Sequence, residues 1–297
     1  MGTETAAPRY RGLETWDNES ILEALLEAQL AAVAALNPAL PGLAKAAEAA
    51  AERLRRGGRL AYAGAGTSAR LAAQDGAELR PTFGWPMERL VFLIAGGAAA
   101  LLRAAEGAED DPAAARAAVK AERLARADVL VAVSASGRTP YTVAAAQTAR
   151  RAGALVVGIA NNAGSPLLKA AAHPILLATG AEPVAGSTRM KAGTAQKAAL
   201  TLFSTLTMIR LGRVHAGRMV DVVPGSAKLR TRSLAIVRDL AGVGAAPARR
   251  ALAGAGGQIK LAVLVARGLT PEAARALLAE HHDDLGRALG ALGGVEK

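Results

Sequence analysis

The pattern of residues predicts an α/β fold: a parallel sheet flanked by helices, followed by a small all-helical module. Two observations carry that expectation. Five short apolar runs, at Leu60–Ala63, Leu90–Ala95, Val129–Val133, Leu155–Ala160 and Ile175–Leu177, each end in a Gly or Ser turn, and most lead into an Ala-rich helical stretch. Strands that alternate with helices in this way pair in parallel and are covered on both faces. After Pro224 the rhythm becomes purely helical.

Taken in order, residues 19–56 read as helical, with Ser20 as a candidate cap, a break near Pro38 and Pro41, and a stop at Gly57-Gly58. The strand–helix alternation follows. Arg189 to Leu211 is a long helical stretch without proline. Turns at 242–247, 254–257 and 268–271 divide the tail into an expected three or four helices, and Thr270-Pro271 pairs a cap with a first-turn proline. The organisation is therefore an N-terminal helical segment at 1–51, a central α/β domain at 52–215 and a helical module at 232–297.

Composition narrows the class. Hydrophobic residues make up 52% of 297, enough for a sizeable core, yet no apolar run approaches the ~18 residues a membrane span needs. The first 18 residues are mixed and polar, without a basic-then-apolar signal. There is no cysteine, hence no disulfide framework and no thiolate nucleophile or ligand. A soluble cytoplasmic protein with no membrane partner is the expectation. The net charge of +11 arises from 36 Lys and Arg against 25 Asp and Glu, spread thinly along the chain. Aromatics are only 3%, too few stacking platforms for a nucleic-acid partner. Anionic small molecules are the better match to that charge.

Loops at the carboxyl ends of parallel strands are where ligands bind. The first, Gly64-Ala-Gly-Thr-Ser-Ala69, satisfies G-x-G-x-x-G/A, but the next strand ends in Ile94-Ala-Gly-Gly97 with no acid for a ribose. A nicotinamide dinucleotide is rejected on that ground, and no other cofactor or metal is called for. Gly66, Thr67 and Ser68 offer close backbone approach and hydroxyls beside a helix N-terminus, or else form an ordinary capped turn. The second loop, Ser134-Ala-Ser-Gly-Arg-Thr139, is stronger. Ser134, Ser136 and Thr139 around Gly137, ahead of a helix begun by Pro140, exceed what capping needs and suit a phosphate. Arg138 adds charge or faces solvent.

Two acidic segments lie between these loops. Glu78 is placed at the end of a helix just before Arg80-Pro81, where a carboxylate is electrostatically disfavoured and wants another reason. Glu109 lies in Glu106-Gly-Ala-Glu-Asp-Asp111, ahead of a helix that Asp111 caps and Pro112 starts; on its own residues, Glu109 stays open between dipole complementation and chemistry. The His281-His282-Asp283-Asp284 run reads as a solvated patch rather than a metal site, because adjacent residues point to different helix faces.

The two hydroxyl loops resemble those of the sugar isomerase (SIS) domain, which binds phosphosugars. More narrowly, Ser187-Thr-Arg-Met-Lys-Ala-Gly-Thr-Ala-Gln-Lys197, Ala104-Ala-Glu-Gly-Ala-Glu-Asp110 and Asp75-Gly-Ala-Glu-Leu-Arg-Pro-Thr-Phe-Gly84 are similar to the signatures of N-acetylmuramic acid 6-phosphate etherases. The similarity runs from Thr3-Glu4 through Met219-Val-Asp-Val222 into the tail. It implies that 52–215 is a SIS domain and that the substrate is a phosphorylated amino sugar. It also implies a homodimer whose subunits complete each other's pockets. By the same resemblance Glu78 is the acid that protonates the departing lactate oxygen, and Glu109 is the base at carbon 2. Ser187, Thr188, Arg189 and Lys191 divide between starting a helix and touching substrate. The sequence departs from the family pattern at Ala69 and Ala73, where glycines are expected, and at Arg80, where a proline is expected. A sensor of phosphosugars and an aldose–ketose isomerase are the competing readings. The pair of glutamates argues against the sensor, and the segments at 106–110 and 187–197 argue against the isomerase.

Overall fold

In a computed structural model, residues 2–103 and 105–293 are described; Ala104 of the first acidic signature and residues 294–297 of the tail lie outside them. The chain forms two compact units, one of residues up to 77 and 88–206, the other of residues 78–87 and those from 207 on.

The first unit opens with α1 (Asn18–Ala34) and α2 (Leu40–Arg55). Asp17, not Ser20, caps α1, its carboxylate accepting from the Ser20 amide at 3.0 Å. A charged carboxylate is favoured beside the helix N-terminus, and Ser20 falls inside the first turn. Then come β1 (Leu60–Gly64), α3 (Gly66–Phe83), β2 (Leu90–Ile94), α4 (Pro112–Ala121), β3 (Val129–Ser134) and α5 (Pro140–Arg151). They are followed by β4 (Leu155–Ala160), α6 (Pro166–Ala170), β5 (His173–Leu176) and α7 (Lys191–Arg210). The five strands make one parallel sheet in the order β2-β1-β3-β4-β5. Fold class and all five strands agree with the sequence; β5 starts two residues early, at His173-Pro174, because an edge strand tolerates a proline.

The three inner strands are buried throughout, as apolar runs without alternation require. On one face Ala61, Ala63, Val91, Leu93, Leu130, Ala132 and Val156 pack with residues of α4, α5 and α6. Tyr62 and Phe92 point the other way, stacked at 5.9 Å between centroids. There the Tyr62 hydroxyl donates to Asp75 of α3 at 2.7 Å, and Ser204 of α7 donates to the other carboxylate oxygen at 2.9 Å. Burial, reinforced by that carboxylate, pushes the Tyr62 phenol well above its usual pKa and keeps it a donor.

At the amino edge Asp128 ties the strands together. Its carboxylate accepts from the Arg59 amide at 2.8 Å, the Arg59 guanidinium at 2.9 Å and the Ala125 amide at 2.9 Å. Burial alone would raise its pKa, but Arg59 and the two amides outweigh burial and hold it below the ordinary carboxylate value.

In the second unit, β6 (Val214–His215) and β7 (Arg218–Met219) form a hairpin unseen in the sequence. Its turn puts Ala216 at φ 47° and Gly217 at φ 71°, and an alanine gives no signal for that conformation. Among the described residues the tail holds five helices rather than three or four: α8 (Ala227–Ala241), α9 (Ala245–Gly254), α10 (Ile259–Ala266), α11 (Pro271–Glu280) and α12 (Leu285–Gly293). They share a core that includes Ile236, Val237, Leu261, Val263, Leu278 and Leu285. Thr270 caps α11, accepting from the Ala273 amide. Among the described residues no helix is long and apolar enough to cross a membrane.

Asp128→Asn tests the amino-edge clamp. A carboxylate with a depressed native pKa contributes stability above its unfolded value near 3.8, and that stability is lost as pH falls through the native value. The variant is expected to be less stable than wild type by about 1–2 kcal/mol at pH 7. In denaturant titrations the gap should narrow as pH falls below 3.8 and close once pH has passed the depressed native value.

Candidate functional site

Because β1 pairs in parallel with both β2 and β3, three loops leave the sheet at one edge: Gly64 stands opposite Ile94 and Val133. The chain steps from β1 out to β2 and then back across to β3, so the order reverses between β1 and β3. Such a switch point opens a crevice at the carboxyl ends of the strands.

The loop after β3 is a cluster of hydroxyls. Ser134 Oγ lies 2.9 Å from Thr139 Oγ1 and 3.4 Å from Ser136 Oγ, and it accepts from the Gly137 amide at 3.0 Å. Ser136 Oγ accepts from the Arg138 amide at 3.1 Å. Gly137 sits at φ 63°, and a Cβ there would collide with Ser165, so no other residue fits. Thr139 precedes α5 but makes no side-chain cap; that leaves its hydroxyl with the cluster and the first amides of α5 without a capping side chain. Arg138 is exposed.

Next to it, α3 begins directly at Gly66. A cavity of about 280 Å³ joins this turn to the segment after β2, lined by Gly66, Thr67, Arg70, Glu106 and Glu109 among others. The structure thus brings Gly66, Thr67 and Glu109 around one space. Arg70 bonds the carbonyls of Leu101 and Ala100 at 2.9 and 3.3 Å, bracing the segment that leads to Glu109. Asp111 caps α4 as expected, accepting from the Ala113 and Ala114 amides at 2.9 Å. Ser68 points elsewhere: it is buried, and its hydroxyl donates to Gln196 of α7 at 2.9 Å.

Glu78 does not end its helix. α3 continues to Phe83 with Pro81 inside its last turn, at the cost of one backbone bond. Glu78 is exposed and belongs to the second unit. Glu109 is exposed as well, so one chain alone does not withdraw either carboxylate from water.

The Ser187–Lys197 segment folds as a tight loop, then α7. Neither Ser187 nor Thr188 caps that helix. The buried Glu182 does, its carboxylate accepting from the Lys191 amide at 2.8 Å and the Ala192 amide at 2.9 Å. Lys191 Nζ donates to the Ala181 carbonyl at 3.0 Å, while Arg189 is exposed. Behind the loop Gln196 donates to Asn161 at 2.9 Å, and Asn161 bonds Thr179 at 3.3 Å and the Leu177 carbonyl at 3.1 Å. Thr3 is wholly buried; its amide donates to Asn162, and its carbonyl accepts from the Gly186 amide at 3.2 Å. Glu182 and Gln196 are contributions that sequence reasoning missed, since a cap nine residues ahead of its helix matches no local pattern. Among the described residues no group of His, Cys, Asp and Glu could hold a metal ion.

The SIS domain model matches residues 23–161. A protein of Deinococcus radiodurans named N-acetylmuramic acid 6-phosphate etherase is 50% identical over 263 residues, covering 89% of this chain and 86% of that one. The chain belongs to the N-acetylmuramic acid 6-phosphate etherase family. Proteins of that name from Streptomyces coelicolor and a Synechococcus species are 49% and 42% identical, covering 87% and 98% of this chain and 83% and 92% of theirs. Etherase membership accounts for the long motifs, and the geometry adds what holds the third one in place.

Glu182→Ala removes the carboxylate that accepts from two helix amides in the interior. Leaving them unpaired is expected to cost roughly 2–4 kcal/mol in urea denaturation, with Glu182→Gln intermediate.

Proposed function

We propose that the chain is a carbon–oxygen lyase, an N-acetylmuramic acid 6-phosphate etherase that releases D-lactate and N-acetylglucosamine 6-phosphate. It would serve amino-sugar catabolism and the recycling of cell-wall peptidoglycan. One observation carries the reading: a hydroxyl loop, a glycine turn and a glutamate-bearing segment share one sheet edge, in a chain half identical to a named etherase.

The phosphate lies on the loop after β3, held by Ser134, Ser136, Thr139 and the free amides of α5, with Gly137 allowing close approach. Arg138, Arg189 and Thr188 reach its charge or the lactyl carboxylate. Lys191, bound to the Ala181 carbonyl, shapes the loop and adds positive potential. With the sugar ring open, the carbon 1 aldehyde acidifies the neighbouring C–H, so a carboxylate suffices as base. Glu109 takes the carbon 2 proton. The C–O bond at carbon 3 breaks, and its electrons leave with lactate, whose oxygen takes a proton from Glu78. Water then adds across the resulting unsaturated aldehyde, the hydroxyl to carbon 3 and a proton to carbon 2, so that the net reaction consumes one water. Every step is a proton transfer, an elimination or an addition of water, and the residues named supply the protons.

The same reading makes the enzyme a cytoplasmic homodimer, since a phosphorylated sugar does not cross a bilayer unaided. Supporting a dimer, α1 is apolar on two sides: Ala24, Ala28 and Ala32 are buried, while Leu22, Leu26, Leu30 and Val33 are more than half exposed. A row of exposed large apolar side chains on a helix is built to be covered.

Purified protein given N-acetylmuramic acid 6-phosphate is expected to release D-lactate. Glu78→Gln and Glu109→Gln should each lower kcat by roughly 10² to 10⁴. Binding of the substrate without lactate release by wild type would replace this reading with a phosphosugar sensor. Light scattering should give twice the mass of one chain, and Leu26→Arg should shift it toward the monomer.

A further inference from the structure

Within the second unit, the helix end that carries Glu78 is gripped by a chain of charges centred on a buried lysine. Lys260 of α10 is only 3% exposed, with its ammonium 2.6 Å from Asp221 and 2.8 Å from Asp283. It also donates to the Asp283 carbonyl at 2.7 Å. The same Asp221 oxygen lies 3.7 Å from Arg213, whose guanidinium donates to the Phe83 carbonyl at 2.7 Å and lies 5.2 Å over the Trp85 ring. Trp85 is 1% exposed. Gly84, between them, is at φ 62°, and a Cβ there would collide with the Asp221 carbonyl. Phe83 is the last residue of α3, so its carbonyl is one of those that a helix cannot satisfy itself. One turn earlier, Pro81 has no N–H for the carbonyl of Ala77, the residue before Glu78. The turn that presents Glu78 is therefore short of a backbone bond and held from outside.

Stability alone is a poor explanation for this arrangement. Buried ion pairs seldom outdo apolar packing of the same volume, whereas they do fix geometry. Burial raises the Asp221 pKa above its usual value even against Lys260 and Arg213.

We propose that Arg213 is a positioning residue for Glu78: its hold on Phe83 and Trp85 fixes the last turn of α3, and Asp221 and Lys260 keep the guanidinium in place. This assignment rests on Glu78 being the acid of the etherase reaction. It also gives the C-terminal helices a part in that reaction, because Lys260 comes from α10 and Asp283 from the turn between α11 and α12.

The test measures D-lactate release against substrate concentration for the full-length chain. The variants are Arg213→Met, Arg213→Lys, Glu78→Gln and the double variant Glu78→Gln/Arg213→Met. Arg213→Met is expected to lower kcat about 30-fold with KM within about threefold, the mark of lost orientation rather than lost binding. Arg213→Lys should fall between, since an ammonium keeps the charge but not the planar fork. The double variant should be no slower than Glu78→Gln alone, because a residue that acts through Glu78 has nothing left to position. A folded Arg213→Met protein with kcat within about twofold of wild type overturns the assignment, as do losses that multiply in the double variant. Should Arg213→Met fail to fold, kcat of Arg213→Lys decides by the same criterion. A fully active Glu78→Gln removes the acid itself and the assignment with it. An inactive Glu78→Gln beside an unchanged Arg213 variant removes the assignment alone.

Discussion

Everything at the carboxyl edge depends on the register in which β1 pairs with its two neighbours. Gly64 lies level with Ile94 on one side and Val133 on the other, so the glycine turn, the acidic segment and the hydroxyl loop leave the sheet side by side. A parallel sheet sends every strand out at the same edge, and the reversal of order between β1 and β3 leaves room there for a ligand. A slip of one residue in either pairing would turn Tyr62 or Phe92 to the opposite face and pull the loops out of line.

That register is secured by polar groups placed inside the first unit. Asp75 receives the hydroxyls of Tyr62 and Ser204, which ties β1, α3 and α7 together under the glycine turn. Gln196 links Ser68 to Asn161, and Glu182 closes the first turn of α7. Each of these groups is partnered by the bonds it makes, and an unpaired polar group in the same place would be costly. The loops that meet solvent are thereby set on a rigid frame, which is what a site acting on a small charged sugar requires.

The second unit uses the same means with full charges. Lys260, Asp221 and Arg213 reach from the helical core to the end of α3. A guanidinium suits the last link because it can bond a carbonyl with one edge and lie flat on Trp85 with its face. Glu182 in one unit and Arg213 in the other act alike, since each satisfies helix-end groups that the helix leaves unpaired.

What the sequence determined by itself is the fold class, the five strands, the loops that follow them and the family. These are local: apolar runs, turn residues and motifs several residues long are written in consecutive positions, as Ser134 to Thr139 and Thr270-Pro271 show. Among the local expectations that failed, two show the physical reason clearly. Asp17 rather than Ser20 caps α1 because both residue types cap and only the backbone path decides. Glu78 sits a turn inside α3 because the helix runs past Pro81 to Phe83, whose end carbonyl the distant Arg213 satisfies. Only the tertiary structure turned Ser68 inward to Gln196, set Glu182 on α7, and joined Lys260 to Asp221 and Arg213. Those partners are far apart along the chain, and a single side chain carries no mark of the distant group that will satisfy it. Burial creates the need for a partner, and packing alone decides which one is within reach.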